Sequence, residues 1–164
     1  MKLSYYLEKA SDLVDRIVIG IVFLDIVAMI VFISLQIVFR VFFKALVWTE
    51  EATRYLLVWA SFLGASLAYK RGMHIAVTAG IDALPKLLKK PVTLLSTLCS
   101  ILFFGVCAYY GFELMAVQGL QLSPALRLPM KYVYLGIPLS FIIMTLHGLD
   151  IAVKGLFKDK EAVV

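Results

Sequence analysis

Charge is scarce in this chain. Aspartate, glutamate, lysine and arginine make up 16% of its 164 residues, against about 25% in soluble domains. Hydrophobic residues reach 62% and aromatics 13%. A surface facing water on all sides cannot be built from so few charges, and a disordered chain shows the opposite balance. The chain is therefore read as an integral membrane protein. Cysteine is almost missing. Cys99 and Cys107 stand in one apolar run, about 12 Å apart along a helix axis, beyond disulfide reach. Two cysteines and two histidines exclude a cysteine-rich metal cluster. No Ser/His/Asp set, phosphate-binding glycine loop or metal-spaced His/Glu motif occurs. No catalytic, substrate-binding or metal-ligating residue is assigned, and no cofactor is expected. The net charge of +5 suits anionic lipid headgroups. A basic stripe interleaved with stacking aromatics, the footprint of nucleic-acid binding, does not occur.

What is there is a set of apolar runs. A spanning helix needs about 20 apolar residues, and the chain offers four spans, at about 17–39, 50–69, 92–115 and 132–153. The fold expected is an all-α membrane protein, a single four-helix membrane domain over residues 1–164. The second run is short unless it reaches back to Glu50, and the fourth contains Pro138, which a membrane helix tolerates as a kink. Between the second and third spans, residues 74–90 mix Ile75, Val77, Ile81, Leu84, Leu87 and Leu88 with Lys86, Lys89 and Lys90. That pattern reads as an amphipathic segment on the membrane surface, with the three lysines at the lipid interface. Asp82 is placed to cap a short helix starting near Pro85. Leu3, Tyr6, Leu7, Ala10 and Leu13 recur at helical spacing, as a second interfacial turn or an extension of the first span. The first run, 23 residues long with no A-x-A site after it, is too long for a cleaved signal core.

Orientation follows from the loop lysines and arginines. Lys2, Lys9, Arg16, Lys70, Arg71, Lys86, Lys89, Lys90, Lys154, Lys158 and Lys160 fall on one side, eleven in all, against five on the other: Arg40, Lys44, Arg54, Arg127 and Lys131. Both termini are expected to be cytoplasmic. Trp48, Tyr55, Tyr109, Tyr110, Tyr132 and Tyr134 then gather at the outer interface as an aromatic belt.

Few residues invite a chemical reading. Asp25 is a carboxylate inside a span, costly unless paired or hydrated, and His147 is expected at similar depth on the fourth span. A buried Asp25–His147 pair fits either a proton or ion relay or a contact fixing helix register. An Asp25 turned to a partner subunit is the third reading. In Trp48-Thr49-Glu50-Glu51-Ala52-Thr53-Arg54, Thr49 can cap the second helix, and Glu50 to Arg54 is an i,i+4 pair in the preferred order. Three charges in a turn needed to complete a short span suggest cover by protein rather than lipid. Below them Ala60, Gly64, Ala68 and Gly72 form a ridge of small side chains open to close helix approach. Packing within the bundle and packing on a partner account for it equally. Glu113 is placed to pair with Arg127 or Lys131.

The run W-T-E-E-A-T-R-Y-L-L-V-W-A-S-F-L-G-A-S-L-A from Trp48, then Gly72, His74, Ile75 and Val77, resembles the small membrane subunit (DctQ-like) of tripartite ATP-independent periplasmic (TRAP) transporters. Pro124-Ala125-Leu126, Leu128-Pro129-Met130, Tyr134 and Ile137-Pro138 are similar to the same family's entry into the fourth span. The resemblance covers roughly residues 10–155. It implies a non-enzymatic small permease subunit in the inner membrane of a bacterium or archaeon. It would serve sodium-driven symport of an organic acid, a carboxylate or sulfonate. The partners implied are a large multi-span subunit, forming a heterodimer, and a periplasmic substrate-binding protein. The role expected is to stabilise the fixed scaffold of an elevator-type carrier through Trp48, Glu50, Glu51, Arg54, Trp59, Ala60, Gly64 and Ala68. Two alternatives come from other classes. One is an independent four-span transporter using Asp25. The other is a haem-anchoring membrane subunit using His74 and His147.

Overall fold

Long apolar stretches free of helix breakers fold as long helices, and the computed structural model, which describes residues 2–71 and 85–161, is built from them. The first helix, α1 (Lys2–Phe42), runs unbroken for 41 residues, about 60 Å. That exceeds the ~40–45 Å of a whole bilayer, so the N-terminal turns are an extension of the first span and not a separate element. α2 (Val47–Lys70) follows a short connection. α3 (Lys86–Val117) ends in a 3-10 turn, Gln118–Leu120. A loop then leads to the five-residue α4 (Met130–Tyr134) and to α5 (Gly136–Glu161). The break at Leu135 lies where Pro138 has no N–H to offer the carbonyl four residues earlier. Among the described residues the one β feature is an isolated bridge between Leu122 and Pro129.

Three elements differ from expectation. α2 starts at Val47, so Thr49 is not its cap; its hydroxyl donates to the Leu46 carbonyl at 2.7 Å, fully buried inside the first turn. Pro85 is the residue before α3, and Lys86 to Lys90 are the first turns of that helix rather than a short surface helix of their own. Asp82, His74 and the greater part of the expected surface segment lie outside the described residues. Pro91, directly before the run expected to span from about residue 92, sits inside α3.

Neighbouring chain segments run up and down. α1 is antiparallel to α2, and α3 is antiparallel to α5. The start of α1, the end of α2, the start of α3 and the end of α5 therefore share one end of the bundle, called here the basic end. α5 touches all three other long helices, whereas α2 and α3 meet through side chains such as the edge-on Tyr69 and Phe104 rings, 4.9 Å apart. The core has two centres. Val18, Leu63 and Ile143 join α1, α2 and α5. Tyr69, Phe104 and Met144 join α2, α3 and α5. Two glycines set how closely α5 and its neighbours approach. A Cβ on Gly111 would lie 3.1 Å from the Pro138 side chain, and one on Gly136 would lie 3.1 Å from the Trp59 ring. Neither a pyrrolidine nor an indole can bend away. Gly136→Val is expected to cost about 1–3 kcal/mol through overpacking, read as a lower melting temperature in detergent; an unchanged melting temperature would show that the ring can move.

Three of the four expected spans coincide with helical stretches long and apolar enough to cross a membrane: Tyr5–Phe42, Pro91–Leu120 and Met130–Lys154. The first and second bury few of their residues within the chain, and the third is half buried. α2 falls outside this group, its outer turns diluted by Thr49, Glu50, Glu51, Thr53 and Arg54.

Candidate functional site

The end of the bundle opposite the basic end is organised by one carboxylate. Glu51 stands in the first turn of α2 and is almost fully buried. Its Oε2 accepts the backbone N–H groups of Ala125 at 2.6 Å and Leu126 at 3.2 Å, and its Oε1 accepts the Tyr55 hydroxyl at 2.5 Å. The loop it grips is closed on itself. The Ser123 N–H reaches the Leu128 carbonyl at 2.9 Å, the Leu128 N–H reaches Ser123 Oγ at 3.2 Å, and Ser123 is buried. The turn brings Arg127 to a left-handed φ of 54°, a conformation that favours glycine. Met130 adds its sulfur to Tyr55 at 3.5 Å. The two blocks that carry the family resemblance, one opening α2 and one leading into α4, are thus a single structural unit.

At the basic end, helices α1, α2 and α5 are clamped by polar contacts. Ser11 Oγ and His147 Nδ1 form a buried hydrogen bond of 2.9 Å. Lys70 donates to the Ser11 carbonyl and to Asp12, both at 2.8 Å. Arg71 lies 3.4 Å from Asp15, and Lys154 bridges Asp150 at 3.0 Å and Glu8 at 3.1 Å. Charged pairs such as Lys70–Asp12, half open to water, add little by themselves. The donation to a buried backbone carbonyl is the stronger tie.

Asp25 and His147, expected to pair, do not. The partner of His147 is Ser11, fourteen residues before Asp25 on the same helix and so about 21 Å away along it. Asp25 is instead buried in the α1–α2 seam beside the backbone of Ala60, with Oδ2 unpartnered. Depth counted from the ends of the apolar runs placed the pair wrongly, because α1 and α5 both run on past those ends.

The residues expected at a partner interface divide into two groups. Glu51 faces inward, as above. Trp59 also turns inward, donating its indole N–H to the Val133 carbonyl at 3.1 Å, and Ala60 backs Asp25. Glu50 and Arg54 form their expected pair at 2.8 Å, both more than 60% exposed. Trp48 is partly exposed, edge-on to Phe32 at 5.6 Å. Gly64 has nothing within 4 Å of where a Cβ would stand, so the small-residue ridge is not closed at this point by the chain's own helices. Glu113 is exposed and forms no ion pair with Arg127 or Lys131; Lys131 lies over the Tyr132 ring instead, 5.2 Å from its centre. Of the lysines expected at the lipid interface, Lys86, Lys89 and Lys90 all sit in the opening turns of α3. Ser11 and the grip of Glu51 on the 123–128 loop were missed from sequence. A seven-residue repeat through Ser11, Val18, Asp25 and Phe32 marks the inward stripe of α1 and could have found Ser11.

Comparison with known proteins gives the family. A family described as "Tripartite ATP-independent periplasmic transporters, DctQ component" matches residues 29–158. The isethionate TRAP transporter permease protein DctMQ of Oleidesulfovibrio alaskensis is 32% identical over 108 residues, 65% of this chain and 17% of that protein. The C4-dicarboxylate TRAP transporter small permease protein DctQ of Rhodobacter capsulatus is 33% identical over 109 residues, 65% of this chain and 48% of its own length. The ectoine TRAP transporter small permease protein TeaB of Halomonas elongata is 30% identical over 115 residues, 69% of this chain and 60% of its own length. The match thus spans less than two thirds of each relative. The chain belongs to the DctQ family, a transporter membrane component and not an enzyme.

Proposed function

We propose that this DctQ-family chain is the small subunit of a sodium-driven transporter for an organic acid, packed beside a large permease subunit whose fixed scaffold it steadies. α2 is the second of four spans, both termini are cytoplasmic, and the membrane is the inner membrane of a bacterium or archaeon. A periplasmic substrate-binding protein completes the system. The observation that carries the partner is the isethionate relative: its name joins two permease components, and the match takes up 17% of its length, as a small component fused to a larger one would. The gathering of lysine and arginine at the basic end supports the orientation through the positive-inside rule.

The contact surface is the outward side of α2. Exposed Glu50 and Arg54 at one end and the open side of Gly64 further down sit on a helix too polar to be counted among the lipid-crossing ones. A helix of that kind is better covered by protein, with small residues permitting close backbone approach. An elevator carrier moves one domain against another that must not tilt. Added helices, one of them about 60 Å long, broaden the stationary part and tie it to both interfaces.

Two substitutions test this. Gly64→Leu is expected to leave the melting temperature of the isolated chain unchanged, while co-purification of the large subunit and transport fall together by tenfold or more, on the order of 1.4 kcal/mol. A normal complex with normal transport would refute the assigned face. Asp25→Asn is expected to keep substrate uptake near its normal rate, since the carboxylate is read as a buried seam residue. Loss of uptake with intact assembly would give Asp25 a coupling role.

A further inference from the structure

Every carboxylate whose side chain the structure describes, except one, has a cation, a donor or open water beside it. Glu8, Asp12, Asp15, Glu50 and Asp150 each lie within 3.4 Å of a lysine or arginine nitrogen. Glu51 accepts from two backbone N–H groups and the Tyr55 hydroxyl, and Glu113 is exposed near the outer end of α3. Asp25 is the exception. It is 8% exposed, well inside the 17–39 apolar run, and its Oδ2 is buried without a partner. The Ala60 backbone beside it has no donor to spare, because an N–H inside α2 is already bonded to the carbonyl four residues back. The indole N–H of the adjacent Trp59 is taken by the Val133 carbonyl. A bare carboxylate in such a place is costly enough that the group keeps a proton instead. A neutral acid needs no counter-ion and brings a donor of its own, of the kind that Ser61 and Ser140 give to carbonyls one turn back. The seam is also open on one side. Gly64, one turn along α2 from Ala60, has nothing within 4 Å of where a Cβ would stand.

We propose that Asp25 is a neutral carboxylic acid and the site at which a lipid-soluble carbodiimide, entering beside Gly64, modifies this chain. The acid proton passes to one carbodiimide nitrogen, and the carboxylate oxygen bonds to the central carbon. Migration of the acyl group from that oxygen to the neighbouring nitrogen leaves a stable N-acylurea, and no atom departs. The ionised carboxylates lack the proton that the first step consumes, so they are passed over. The site depends on the α1–α2 seam alone and not on any partner.

Treating the full chain in detergent at neutral pH with dicyclohexylcarbodiimide, then mapping its peptides by mass spectrometry, tests the site. One adduct is expected, on Asp25, and none in Asp25→Asn. Its position is read from the wild type alone, so the test survives a variant that does not fold. Gly64→Leu, which fills the gap, should slow labelling by about tenfold. Infrared difference spectra between wild type and Asp25→Asn should show the carbonyl stretch of a protonated carboxyl, which reports the proton whether or not the reagent arrives. A missing band would overturn the neutral acid. Adducts confined to other carboxylates, no adduct at all, or equal labelling in Gly64→Leu would overturn the site or its entry.

Discussion

Replacing Glu51 with alanine is expected to lower the melting temperature of the purified chain by about 5–10 °C and to open the 123–128 loop to protease. One side chain satisfies three donors: the N–H groups of Ala125 and Leu126 and the Tyr55 hydroxyl. Alanine leaves all three without their acceptor, and an orphaned buried donor costs more than a formed hydrogen bond contributes. The loop then has only its own contacts, Ser123 with Leu128 and Arg127 and the Gln121–Met130 backbone bond, to hold its shape, and the connection from α3 into α4 loosens. Glu51→Gln should recover part of the loss, because an amide oxygen still accepts from backbone N–H groups but without charge assistance. Tyr55→Phe, which removes a single donor, should have the smallest effect of the three. If alanine melted like the wild type and resisted protease equally, the carboxylate would not be holding the loop.

The second large effect is expected at Ser11. Its side chain is fully buried where α1 crosses α5, against His147, which is equally buried. Ser11→Ala removes the hydrogen bond and leaves Nδ1 unpartnered, in a ring whose Nε2 already has none, at about 1–3 kcal/mol. Ser11→Leu does the same and also forces three extra carbons into a closed crossing, adding about 1–3 kcal/mol. The sum approaches the whole stability of a small domain, so the leucine variant should fail to accumulate as a folded chain while the alanine variant survives with a lowered melting temperature. Equal behaviour of the two would show that the crossing has room to spare and that packing there is looser than the burial implies.

The helices were legible because hydropathy and the lack of breakers act locally. The apolar runs at 17–39 and 92–115 lie within α1 and α3, and the spacing of Leu3 to Leu13 left an interfacial turn or an extension open, of which α1 makes the extension. Glu50 and Arg54 paired as expected because an i,i+4 contact is also local. The register between helices was not legible. It depends on where Gly111 admits Pro138 and where Gly136 admits Trp59, contacts between residues far apart in the chain, and it decided that His147 meets Ser11 and not Asp25. Nor could the role of Glu51 be read, since its partners are backbone N–H groups, which every residue but proline carries and no sequence pattern distinguishes. Glu50 and Glu51 are chemically alike and adjacent; a helix rotation of about 100° sends one to the surface and the other under the loop.

The position of α5 has a consequence for how the chain is made. It follows the three other long helices in the chain and is the one on which they converge. Before it arrives, α1 and α2 can join as a hairpin, but α3 has no long helix to lie against, and both core centres lack Ile143 and Met144. A nascent chain halted after α3 therefore presents lone membrane helices with half-formed seams, the condition that membrane proteases and insertion chaperones act on. The bundle closes only once α5 has joined the helices made before it.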